Sequence, residues 1–180
     1  MLKSLSISAA AAALISGAAV ADYDLEFDVD GPGGNGTSYA LELEGSLAGM
    51  NVDTNFVNLG GFTWAGDLLI TIIDPEGNGL QFGGYDIDEG LPNAGDFPSS
   101  WDSSASGTYV HSVSLESLGL SGSGVWSISV IDGYTNGADT DHWDGTITLE
   151  GVSLVPAPGA IALLGIAGIA GRRRRRKYGR

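Results

Sequence analysis

The stretch DYDLEFDVD, residues 22–30, alternates without a break. Tyr23, Leu25, Phe27 and Val29 fall on one side, and Asp22, Asp24, Glu26, Asp28 and Asp30 on the other. A period of two is the pattern of a strand with one face in a core and the other in water. SYALELEGSL (38–47) repeats it, with Tyr39, Leu41, Leu43 and Leu47 inward and Glu42 and Glu44 outward. Between the two lies GPGGNG, a turn cluster. The same reading predicts strands at DLLITIID (67–74), TYVHSVSL (108–115), VWSISVI (125–131) and GTITLEGV (145–152), with one or two more from VDTNFVNLGGFTW (52–64). DLLITIID is apolar on both faces and so reads as a central strand. No long 3.6-residue period interrupts the series. The expected class is an all-β sandwich or jelly roll.

Charge divides the chain into three. All 8 Lys and Arg lie at the extremes, at Lys3 and from Arg172 to Arg180, and all 22 acids lie between Asp22 and Glu150. A middle region with acids and no Lys or Arg repels phosphate backbones, which argues against a nucleic-acid partner, and attracts divalent cations. At the start, Lys3, the apolar run ISAAAAALISGAA and the small-residue site at Ala19–Ala21 read as a secretory signal peptide over 1–21. The expected domain is then 22–154. With no cysteine, it must hold itself by burial, with or without ions, and has neither disulfide nor thiolate chemistry.

The remaining segment, 155–180, joins VPAPG to a Gly/Ala/Leu/Ile run and an Arg cluster. As a helix, Gly159 to Gly171 would span roughly 20 Å, short of the roughly 30 Å hydrocarbon core of a bilayer. Its glycines make it narrow and weakly helical, and the basic end would stay cytoplasmic.

Candidate chemistry is sparse. GPGGNG matches a dinucleotide fingerprint in form only, since Pro32 lies inside it, no helix follows and acids precede it. An EF-hand reading of Asp28 and Asp30 fails because Pro32 occupies the third ligand position. The better cation candidate is DGYTNGADTDHWDG (132–145), where Asp132, Asn136, Asp139, Asp141 and Asp144 offer hard oxygens within one loop. The same residue types also serve as ordinary turn formers. Of the two histidines, His111 alternates with Tyr109 and Val113 and reads as a packing residue, while His142 sits among carboxylates. Neither stands beside an evident nucleophile, and no G-x-S-x-G elbow occurs. The long segment 75–107 carries Phe82, Tyr85, Phe97 and Trp101 among acids and prolines, and reads either as a functional loop or as aromatic plugs over the end of a sandwich.

Two family resemblances add to this. GGFTWAGDLLITIIDPEGNGLQF (60–82) and GSGVWSISVIDGYTNGADTDHWDGTITL (122–149) resemble the proprotein-convertase P domain, also called P/Homo B. The matching positions are Gly66, Asp67, Leu68, Ile70, Asp74, Pro75 and Gly77, then Gly124, Trp126, Ile128, Val130 and Asp132, with Asp74 where Ser is usual. The resemblance implies a jelly-roll, galactose-binding-like sandwich and a Ca²⁺ site among loop aspartates, here Asp132 with Asp139 and Asp141. The tail resembles the PEP-CTERM sorting signal through Val155, Pro156, Pro158, Gly159 and Arg172, Arg173, Arg174, Arg175 and Arg176, with Ala157 where Glu is commonest. That resemblance implies an exosortase-type membrane protease as partner, transient anchoring in the inner membrane of a Gram-negative bacterium, and delivery to the cell surface or extracellular matrix. The expected function is a non-enzymatic binding or structural module, partnered by extracellular polysaccharide or another surface protein. The alternative is a secreted hydrolase using carboxylates around 86–102 or 132–144.

Overall fold

A computed structural model of the chain describes residues 22–31, 36–60, 62–84, 90–134 and 141–155. The expected signal peptide lies outside the described residues, as do all of the expected sorting segment except Val155 and the expected ligand Asp139. The described residues form seven antiparallel strands: β1 (Tyr23–Asp30), β2 (Thr37–Val57), β3 (Leu68–Ile73), β4 (Gly79–Gly83), β5 (Gly107–Ser114), β6 (Ser121–Asp132) and β7 (His142–Leu154). Short 3₁₀ turns at Ala65–Asp67, Ser99–Trp101 and Glu116–Leu118 complete them. The sheet order is β1-β7-β2-β6-β3-β4, with β5 added on β2. The domain is all-β and sandwich-like.

The fold turns on β2. Its first part, Thr37–Ser46, pairs with β6 and Gly49–Phe56 with β5, while β7 pairs with it at both Leu43–Gly45 and Gly49–Val57. The change from β6 to β5 coincides with a register shift in the β2–β7 ladder between Gly45 and Gly49. There Leu47 N donates to Leu120 O at 2.9 Å, and Leu115 N to Ala48 O at 2.8 Å, so the β5–β6 connection closes over the shift. Gly45 has φ +132°, and a Cβ on it would stand 2.2 Å from Gly151 O. Only glycine allows both that backbone and that approach. VDTNFVNLGGFTW therefore continues β2 as far as Val57 and does not supply separate strands, because a bulge bends the strand where the sequence suggested a break.

Alternation then decides what is buried. Leu25, Phe27 and Val29 of β1 meet Met50, Val52 and Phe56 of β2, Trp126, Ile128 and Val130 of β6, and Trp143, Ile147 and Leu149 of β7 in one core. β3 lies between β6 and β4, as its two-sided apolar sequence predicts, with Leu68, Ile70 and Ile72 inaccessible. The segment 75–107 is less irregular than expected, since Gly79–Gly83 pairs with β3 as β4 and places Phe82 in the core. Phe97 stacks on Trp101 at 4.1 Å and meets Phe82 edge-on at 4.9 Å, which pins 97–101 over the core. His111 stacks on Phe82 at 5.8 Å and is a packing residue, as its alternation indicates.

Candidate functional site

The expected cation loop leaves β6 at Asp132 and returns at Asp141, immediately before β7. Strand parity turns both side chains inward, and they are 6 % and 0 % exposed. Asp132 Oδ1 accepts from Tyr134 N at 2.9 Å, an Asx-type turn that starts the loop. Its Oδ2 faces Gly31 at the end of β1, where a Cβ would stand 2.8 Å away. The same Cβ would lie 3.5 Å from Asp141 O, which already accepts from Gly31 N at 2.8 Å. Gly31 thus permits the close approach of the Asp132 carboxylate and the Asp141 carbonyl, which a side chain would block. Asp141 Oδ1 accepts from Leu59 N at 2.7 Å, tying the loop to the segment after β2. Asp141 Oδ2 is buried and takes no hydrogen bond among the described residues.

A buried carboxylate oxygen without a partner is costly, by several kcal/mol for an unpaired charge. Nearly everywhere else a Lys or Arg could answer it, but none occurs between Asp22 and Val155. Carboxylate and carbonyl oxygens, one of them an orphaned buried carboxylate oxygen, are donors of the type that a hard divalent cation accepts. The structure brings Asp132 and Asp141 to one end of the sheet. Asn136 lies, like Asp139, outside the described residues.

Beside this site, on the solvent face of β1 and β7, is a cluster that β-pairing alone creates. His142 lies opposite Asp30 and Asp144 opposite Asp28. His142 Nδ1 is 2.8 Å from Asp30 Oδ1 and 3.8 Å from Asp28 Oδ1, and its Nε2 is 3.4 Å from Asp144 Oδ1. Asp144 also accepts from Asn55 Nδ2 at 3.1 Å. The carboxylates are half to three-quarters exposed, so these cross-strand pairs contribute about 0–1 kcal/mol each. Asp144 therefore belongs to the outer ladder and not, as the spacing suggested, with the buried pair.

Sequence reasoning did not find Gly31 or the Leu59 amide, which become relevant only when β1 and the end of β2 flank β7. It also passed over Trp64, which lines a cleft of about 310 Å³ with Asp67, Asp96 and Asp102. No protein-family model matches the chain, and a search of the curated proteins returns no match.

Proposed function

We propose that the chain is an exported, non-enzymatic binding or structural module of the cell surface or exopolysaccharide matrix, with a jelly-roll, galactose-binding-like domain. The charge distribution carries this reading: an acidic all-β domain without Lys or Arg stands between a signal-like start and a VPAPG–apolar–Arg end. An exosortase-type membrane protease would sort it through Val155–Gly159 and Arg172–Arg176, leaving the acidic domain outside. In this reading Asp132 and Asp141, joined by Asp139, hold Ca²⁺. The orphaned Asp141 Oδ2 supports that assignment, and Ca²⁺ sites of extracellular modules work at roughly 10⁻⁴–10⁻³ M, a range suited to an exported domain.

Mass spectrometry of culture, envelope and cytoplasmic fractions tests the reading. The expected product starts at Asp22, is processed near Pro156–Pro158, and is found outside the cytoplasm. Intact 1–180 confined to the cytoplasm would refute it. The second reading, a secreted hydrolase of glycans or peptides, draws on the carboxylates beside Trp64. Turnover of any polysaccharide or peptide by the purified chain would favour it.

A further inference from the structure

We propose that the cleft between the Trp64–Asp67 turn and the Asp96–Asp102 segment is a glycan-binding site for uncharged or amine-bearing saccharides. The proposal rests on the extracellular reading above for the source of its ligand, and on the cleft's own chemistry for the ligand's class.

Three of the four tryptophans, Trp101, Trp126 and Trp143, are 2 % exposed or less, whereas Trp64 is 48 % exposed. Its position is not that of a loose loop. Trp64 N donates to Asp67 Oδ2 at 2.7 Å, and Asp67 N returns a bond to Trp64 O at 3.0 Å. Ala65 N is held by Ser103 O at 3.1 Å and Ala65 O by Trp143 Nε1 at 3.2 Å, while Gly66 O accepts from Gly84 N at 3.2 Å. The backbone that carries the indole is therefore fixed before any ligand arrives, which lowers the entropy cost of binding. The opposite wall is fixed too, because the Phe97–Trp101 stack anchors the turn that presents Ser99 and Asp102.

The lining selects the ligand. Asp96 and Asp102 are exposed, and among the described residues no donor reaches their carboxylates. Ionised carboxylates only accept hydrogen bonds, so the ligand must bring donors. It must also bring an apolar face for the indole. It cannot be an anion, because the domain contains no Lys or Arg to receive one. A pyranose ring meets these conditions, with C–H groups on its face and hydroxyl donors around its rim. The cleft, about 310 Å³, lies at the lower end of the roughly 300–1,000 Å³ of ligand sites, which suits a short stretch of a chain. A Lys-rich peptide would satisfy the carboxylates but brings no ring face to lie flat on the indole.

Because Trp64 is the one tryptophan open to solvent among the described residues, acrylamide quenching of the purified full chain reads the site directly. The probes are a neutral β-glucan oligosaccharide, a chitosan oligomer, an oligogalacturonate and oligolysine, each at millimolar concentration. The neutral oligomer, the chitosan oligomer or both should cut quenching severalfold, and oligogalacturonate should not. By titration calorimetry, Trp64→Ala should lose this binding, Asp102→Asn should weaken it at least threefold, and Trp64→Phe should retain part of it. The latter two change exposed groups and keep the test open if Trp64→Ala fails to fold. Protection by oligolysine alone, equal protection by oligogalacturonate, or protection by neither saccharide class would overturn the assignment. A negative result here leaves the export reading intact, because fractionation tests that separately.

Discussion

Replacing Asp141 by Asn should have opposite signs with and without Ca²⁺. In the folded protein Asp141 is inaccessible, its Oδ1 holds Leu59 N and its Oδ2 has no described partner. Without an ion, the carboxylate is a buried charge costing several kcal/mol, whereas an amide keeps the Leu59 bond and leaves at most one unsatisfied donor, costing about 1–3 kcal/mol. In EDTA, Asp141→Asn should therefore melt at or above the parent. With ~2 mM Ca²⁺ and a dissociation constant of ~10⁻⁴ M, an ion that binds only the native state adds RT ln(1 + ~20), about 1.8 kcal/mol. For a domain of this size that raises the melting temperature by roughly 5–10 °C. The parent should show that rise and the variant little of it, so their melting curves should change order between the two buffers. Differential scanning calorimetry of the full chain, each protein in EDTA and in Ca²⁺, measures all four values. If the parent does not respond to Ca²⁺, or Asp141→Asn is equally destabilising in both buffers, then Asp141 is not a cation ligand and its burial needs another explanation.

Asp74 should anchor the β3–β4 turn. Its carboxylate accepts from Glu76 N and Asn78 N at 2.9 Å, from Asn78 Nδ2 at 3.1 Å and from Ser121 N at 3.4 Å, and Asp74→Ala should cost about 2–3 kcal/mol in a urea titration. Burial acts to raise the pKa of Asp74, but its bonds to Asn78, Ser121 and Glu76 hold it below the ordinary 3.8. Its contribution is therefore complete above that value and lost as pH falls through the folded-state pKa, and the acid limb of a stability–pH profile should flatten in Asp74→Asn. Gly45→Ala should cost several kcal/mol, because it combines φ +132° with a Cβ 2.2 Å from Gly151 O; a chemical-denaturation midpoint equal to the parent's would contradict the bulge. Trp143 packs on Phe56 at 5.0 Å and bonds Ala65 O, so Phe56→Ala should cost about 3–5 kcal/mol by the same titration.

Much of this was legible in the sequence for a local reason. Side chains alternate across a strand whatever the strand pairs with, so DYDLEFDVD already separates Leu25, Phe27 and Val29 from its acids, and GTITLEGV already turns Ile147 and Leu149 inward. The same parity marked His111 as a packing residue. Gly79–Gly83 was missed because a strand this short, GLQFG, has too few residues to show a period, and its pairing with β3 comes from the turn that Asp74 organises.

Alternation, charge segregation and the two ends are properties of consecutive residues, and the sequence by itself determined them: an acidic all-β domain, its inward-facing residues, and the chain segments around it. The tertiary structure alone decided which strands lie side by side. At a glycine-bearing bulge β2 exchanges β6 for β5, while β7 pairs with it before and after. The strand pairings and the turns between them bring Gly31 and Leu59 to Asp141, set His142 opposite Asp30, and hold Trp64 beside the Asp96–Asp102 wall. These contacts join residues far apart along the chain, and nothing in the local period of a strand records which partner it will meet.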